Sequence, residues 1–242
     1  MATPVQDRVV PATTEVVHLH PVEVVVKEHV TQLQRRYKKD EATAVREVAR
    51  LRRKVALLPY DDGEDCGNAA LDQLWLIRSR PAEAAAHYSE QRPATFLHVN
   101  EERAENAVHL ALTLWAVHQQ SLREDDMHVF GVRLGQAVRA LAGGPDDASD
   151  DVNEAVRIRF VRLGTSSSWD VLSQRLRELV LLLRGVKQPL DYVQLAKQLY
   201  RWQKVEQRGD VRREWSRSFH IRPSRAKGSA QGPEPDVSDP GE

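Results

Sequence analysis

SWDVLSQRLRELVLLLRG, residues 168–185, decides the fold class. Leu172, Leu176, Leu179 and Leu183 recur at alternating spacings of four and three, which places them on one face of an α-helix. Ser168 supplies an N-cap hydroxyl, and Gly185 a stop. The same reading extends downstream. Pro189-Leu190-Asp191 opens a helix with Tyr192, Leu195, Leu199 and Trp202 on one face, and Asp210 opens a last one carrying Val211, Trp215 and Phe219. Upstream, Asp151-x-x-Glu154 fits a capping box leading into Val152, Val156, Phe160 and Leu163.

The N-terminal half follows the same pattern less sharply. Segment 22–39 aligns Val26, Val30, Leu33 and Tyr37, and Asp40 reads as the N-cap of segment 41–57, striped with Ala44, Val48, Leu51 and Val55. PYDDGEDCGN (59–68) is a loop by composition, and 69–78 a short helix with Leu71, Leu74 and Trp75. Pro81 and Pro93 interrupt 79–98, which receives no element. Asn100 caps a long segment with Ala104, Val108, Ala111, Trp115 and His118 on one face. Segment 129–142, enclosing Gly131 and Gly135, ends at Gly143-Gly144-Pro145. No stretch sustains the period-2 alternation of a strand. The sequence predicts an all-α bundle of about eight helices with no significant sheet.

The 242 residues suffice for one or two domains with a substantial core, and 41% hydrophobic residues exclude a wholly disordered chain. Residues 1–21 read as a loose arm, 22–142 and 150–222 as two halves of the helical part, and 223–242 as a disordered acidic tail. No window approaches ~18 uninterrupted apolar residues, so no membrane span is expected. The N-terminus lacks the basic start and apolar run of a secretory leader. Cys66 is the single cysteine, which excludes an internal disulfide and a multi-cysteine zinc site. A soluble, cytoplasmic protein is expected.

A formal net charge of zero conceals segregation: −2 over residues 1–34, +6 over 35–54, −9 over 55–150, +9 over 151–228 and −4 over 229–242. Two basic blocks flanking an acidic one suit a polyanionic partner. Their plainer meaning is mutual neutralisation across the fold. Arg46, Arg50 and Arg53 share one helix face, and Lys197, Arg201 and Lys204 another. Arg157, Arg159 and Arg162 interleave with the Phe160 face, and Arg212, Arg213 and Arg217 with the Trp215 face. Like charges at such spacings repel unless paired. They imply either an external anion or neutralisation by Glu47, Glu206 and Glu214. Aromatic residues are few (6%) and fall mostly on apolar faces, which favours phosphate-backbone contact over base stacking.

Catalytic constellations are lacking. His109 and His118 lie nine apart on one helix, unlike the i, i+4 ligand pair of a zincin, and His128 beside Asp125-Asp126 reads more simply as a polar loop with a partly buried histidine. Thr165-Ser166-Ser167-Ser168 has no Gly-x-Ser-x-Gly elbow and suits a helix start. No phosphate loop, dinucleotide fingerprint or paired-carboxylate motif occurs. No enzymatic activity, metal or cofactor is expected.

Several motifs in register carry a family resemblance. ARLRR (49–53), ENAVHLALTLWAVHQQS (105–121), Met127-His128, GVRLGQAVRAL (131–141), RIRFVRLGTSSSWDVLSQRLRELVLLLR (157–184), PLDYVQLAKQLYRWQ (189–203) and VRREWSRSFH (211–220) together resemble the CasB family, the small subunit of the type I-E CRISPR Cascade surveillance complex. The resemblance spans roughly residues 22–220; an acidic insert around 59–98 and the acidic tail depart from it. It implies a non-catalytic, all-helical subunit of an antiviral defence complex. Such a subunit sits beside the backbone and large Cascade subunits, with a second copy of itself, and stabilises the R-loop formed by guide RNA and target DNA. Arg46, Arg50, Arg52, Arg53, Arg157, Arg159, Arg162, Lys197, Arg201, Arg212 and Arg213 are the expected phosphate contacts. The rival reading is a structural adaptor whose basic faces bind other subunits.

Overall fold

A computed structural model describes residues 19–55, 57–59, 69–79, 99–143 and 153–221. Among them are nine helices: α1 (Pro21–Lys38), α2 (Ala42–Arg53), α3 (Ala69–Ser79), α4 (Glu101–Gln119), α5 (Leu134–Gly143), α6 (Glu154–Gly164), α7 (Trp169–Gly185), α8 (Tyr192–Trp202) and α9 (Val205–His220). The described residues contain no strand. One isolated parallel bridge joins His128 to Leu190.

Helix α4 is the axis. Every residue from Ala107 to Gln119 is buried, so this helix is enclosed on all sides rather than along one stripe. Helices α1, α2, α3, α7 and α8 pack around it, while α9 lies on α5 and α8, and α6 bridges α5 and α7. The expected stripes face inward. Leu172, Leu176, Leu179 and Leu183 are all buried, as are Trp115, Trp202 and Trp215. Burying each such leucine contributes roughly 1.5–3 kcal/mol.

Three polar contacts brace the packing, the first within the N-terminal half and the other two between the halves. Gln34 of α1 donates to the His128 carbonyl (3.1 Å) and accepts from the His128 N–H (2.8 Å) and Trp115 Nε1 (3.3 Å). His118 Nδ1 meets the Tyr192 hydroxyl at 2.9 Å. Burial, aided by the charge of Arg184, lowers the His118 pKa to about 3, so the ring is neutral at physiological pH. The third is at Gly135. Its N–H donates to Ser218 Oγ at 3.1 Å, and an added Cβ would lie 2.3 Å from the Trp215 carbonyl of α9.

Several expected boundaries shift. Asp40 does not cap α2. It occupies a left-handed turn (φ 57°) where its carboxylate pairs with Arg123, and Glu41 takes the N-cap position with no side-chain bond to the helix N-terminus, its carboxylate being held by Arg36. Aspartate tolerates that conformation better than most residues. Helix α2 ends at Arg53, short of residue 57. The last helix starts at Val205, five residues before Asp210, which pairs instead with Arg213 one turn on. Residues 129–133 form a turn before α5. Gly131 belongs to this turn (φ 81°), and only Gly135 is helical. Asn153 caps α6, accepting from Ala155 and Val156 N–H; Asp151 lies outside the described residues. Helix α1 begins at Pro21, inside the span read as an arm, because His20 and Glu23 complete a reciprocal capping box. Asn100, Ser168 and Asp191 cap α4, α7 and α8 as expected. The loop at 60–68, the segment 80–98, residues 1–18 and the tail from 222 onward lie outside the described residues.

Candidate nucleic-acid interface

The structure divides the eleven expected phosphate contacts by the partners they find inside the chain. Five meet carboxylates. Arg50 grips Glu47 through two bonds, Lys197 binds Glu23 at 3.0 Å, and Arg201 binds Glu214 at 2.5 Å. Arg157 binds Glu154 at 2.6 Å, and Arg213 pairs with Asp210. These pairs differ in kind. Lys197–Glu23 ties α8 to α1, with the Glu23 side chain only 10% exposed, and Arg201–Glu214 ties α8 to α9. Both serve packing, so the Lys197/Arg201 row offers little free charge. Arg157–Glu154 and Arg213–Asp210 are one-turn pairs on exposed helix faces, where water screens them and an outside anion displaces them readily.

Six arginines have no carboxylate partner among the described residues. Arg52 donates to Gln120 Oε1 (2.6 Å), Arg159 to the Ala155 carbonyl (3.1 Å) and Arg212 to the Ser166 carbonyl (3.1 Å). Arg46, Arg53 and Arg162 are exposed, and no side-chain hydrogen bond or ion pair holds them among the described residues. Arg46 and Arg53 line a shallow dish on α2 together with Thr43, Glu47 and Arg50.

Arg159 and Arg162 line an open groove between α6 and α7, with Ala155, Ile158, Val171, Gln174, Arg175 and Glu178. Arg175 was not among the expected contacts. It projects from α7 toward α6, donating to Ser166 Oγ (3.2 Å) and to the Arg162 carbonyl. Its signal in the sequence is positional, since it stands beside the Leu172/Leu176 stripe and therefore faces the neighbouring helix. Gln174 borders this groove and also a second hollow that reaches Val55 and Leu57 past the end of α2, with Arg177 on its wall. The α6–α7 groove thus runs into this hollow, while the α2 dish shares no lining residue with either.

Guanidinium groups on such surfaces offer bidentate donors to phosphate oxygens with no base-reading element among them. The histidines are placed otherwise. His109, His118 and His128 are buried, and His128 Nδ1 accepts from the Tyr192 N–H at 3.2 Å. Asp125 and Asp126 are engaged by Lys187 (2.9 Å) and Lys38 (2.8 Å). Among the described residues no group of three or more His, Cys, Asp or Glu side chains could hold a metal ion, and no helix is long and apolar enough to cross a membrane. Ser168 caps α7, accepting from the Val171 N–H at 3.3 Å.

Fold and surface together define an all-helical scaffold with arginine-lined grooves. The family model for CRISPR-associated protein Cse2 matches residues 47–220, and the chain belongs to that family. Among solved structures, the crystal structure of CasB from Thermobifida fusca is similar. It shares 36% identity and a TM-score of 0.66, over 84% of this chain and all of the other. No curated protein matches the chain.

Proposed function

We propose that the chain is a non-catalytic subunit of a type I-E CRISPR Cascade complex, working in the cytoplasm with the other Cascade subunits. There it contacts the phosphate backbones of guide RNA and target DNA and so stabilises the R-loop. The observation that carries this reading is the set of six arginines, Arg46 and Arg53 in the α2 dish with Arg52 beside them, and Arg159, Arg162 and Arg175 in the α6–α7 groove, that no carboxylate of the described residues neutralises. Arg212, which spends its Nη2 on a backbone carbonyl, and the exposed pairs of Arg157 and Arg213 extend the surface. Exchanging a DNA duplex for an RNA–DNA heteroduplex is nearly balanced in free energy, so phosphate neutralisation alone shifts it.

The test is a gel shift with the isolated protein across a salt series. Six phosphate contacts give a slope of log affinity on log salt near about −5 for duplex and about −4 for single strands, a loss of roughly 10³-fold between ~50 and ~200 mM for duplex. Arg159→Gln with Arg162→Gln should reduce that slope by about two contacts' worth. Binding indifferent to salt refutes the reading. The adaptor alternative draws support from Ile158 and Val161, which are 41% and 52% exposed beside the arginines. Arg46→Glu with Arg53→Glu separates the two. Loss of complex assembly favours the adaptor, and intact assembly with an unstable R-loop favours the phosphate reading.

A further inference from the structure

The α6–α7 groove mixes charge with apolar surface in a way that fits a particular ligand. Along the outer side of α6, exposed Ile158 and Val161 alternate with Arg159 and Arg162, and Arg175 stands across from them on α7. Among the described residues, Glu178 is the one acidic side chain lining this groove. A partner matched to this surface carries carboxylates spaced around an aliphatic residue.

This chain contains such a segment. Residues 229–242 carry Glu234, Asp236, Asp239 and Glu242, no basic residue, and one sizeable aliphatic side chain, Val237, between Asp236 and Asp239. The route to the groove is short. Helix α9 ends at His220, and Phe219 stacks on Phe160 of α6 with ring centroids 5.2 Å apart. The chain therefore leaves the described fold beside the helix that bears Arg159 and Arg162. The acidic residues follow Ile221 by 13 to 21 positions, a contour of about 40–70 Å when extended, whereas α6 is only about 16 Å long. Tethering over such a length gives an effective concentration of millimolar order, enough for individually weak ion pairs to be occupied.

We propose that the acidic C-terminal segment, residues 234–242, docks on the α6–α7 groove through Arg159, Arg162 and Arg175 and competes there with outside polyanions. The competition rests on the phosphate-binding reading above, but the docking does not. A bound phosphate strand displaces the segment, and the segment raises the threshold for non-specific binding. It acts as a built-in competitor of low affinity, overcome by a polymer that engages both arginine clusters at once.

Two measurements test this with the full-length protein. In the first, Ser238→p-benzoylphenylalanine is photolysed with no nucleic acid present, and crosslinked peptides are identified by mass spectrometry. The expected products are intramolecular, fall within residues 153–178, and drop several-fold in ~0.5 M salt or with Arg159→Gln/Arg162→Gln. Crosslinks elsewhere, crosslinks between two copies, or yields unchanged by the arginine substitutions overturn the docking. In the second, heparin serves as a polyanion that needs no R-loop chemistry. Glu234→Gln/Asp236→Asn/Asp239→Asn/Glu242→Gln should tighten heparin binding several-fold, and most of that gain should vanish on the Arg159→Gln/Arg162→Gln background. An equal gain on both backgrounds reports net charge alone and overturns the competition. Crosslinks as expected alongside salt-indifferent DNA binding would leave the docking standing and remove the phosphate reading instead.

Discussion

Gly135→Ala tests the packing that carries the arginine groove. Gly135 sits in α5 where α9 passes closest. An added Cβ would lie 2.3 Å from both Ser218 Oγ and the Trp215 carbonyl and 2.4 Å from the Phe219 N–H nitrogen. Ordinary contact begins at 3.4 Å, so α9 must retreat by about 1.1 Å, and two of the three obstacles are backbone that cannot rotate away. The retreat also stretches the Gly135 N–H bond to Ser218 Oγ, 3.1 Å in the native packing. Overpacking of this kind costs about 1–3 kcal/mol and the weakened hydrogen bond about 1, while alanine's better helix propensity returns up to about 1. A net loss of roughly 2–3 kcal/mol is expected. For a chain of this size that lowers Tm by about 4–12 °C. Gly164→Ala at the end of α6 is the control: a Cβ there meets nothing within 4 Å, so stability should hold or rise by up to about 1 kcal/mol. Thermal unfolding followed by circular dichroism reads both. A Gly135→Ala protein as stable as the wild type, or one no worse than Gly164→Ala, refutes the reasoning. The consequence reaches function, since Phe219 stacks on Phe160 and a displaced α9 moves α6 and its arginines.

Gln34→Met removes the partner of the His128 N–H, the His128 carbonyl and the Trp115 N–H at once, and chemical denaturation should register a loss of about 3 kcal/mol or more. Tyr192→Phe deprives buried His118 Nδ1 of its hydroxyl, and the same assay should show about 1–2 kcal/mol lost. Acid should destabilise the fold. Burial lowers the pKa of His20 to about 4 and of His118 to about 3, and lowers that of His128, so below about pH 6.5 the unfolded chain binds more protons than the native one. Stability is therefore full above that pH and falls as pH drops toward 4. Unfolding midpoints measured from pH 7 to 4 should decline, and His118→Gln should flatten part of that decline.

The leucine stripe of 172–183 faces the core because no other arrangement hides four leucines at that spacing, and the caps at Asn100, Ser168 and Asp191 follow from side-chain oxygens meeting orphan N–H groups one turn on. Such features depend only on neighbours within one turn. Asp40 differs for the complementary reason, because its carboxylate serves the remote Arg123; Asp210 lies inside α9, where its carboxylate pairs with Arg213 one turn on instead of capping. The all-round burial of α4 was beyond periodicity, because a helix enclosed by five others shows no polar face to set the phase.

The same division governs the candidate site. The sequence by itself determined the helices, the inward stripes and the concentration of arginine in two blocks. The pairs of Arg50, Arg157 and Arg213 are with carboxylates one turn away, but only tertiary packing decided the fate of the others. Glu23 reaches Lys197 from 174 positions away, and Glu214 reaches Arg201 across a helix boundary, so two expected contacts turn into braces between helices. Arg159, Arg162 and Arg175 meet no such carboxylate among the described residues and converge from two helices on one groove. Charge is written residue by residue in the sequence, but neutralisation acts through space, so it is settled only once distant parts of the chain are brought together.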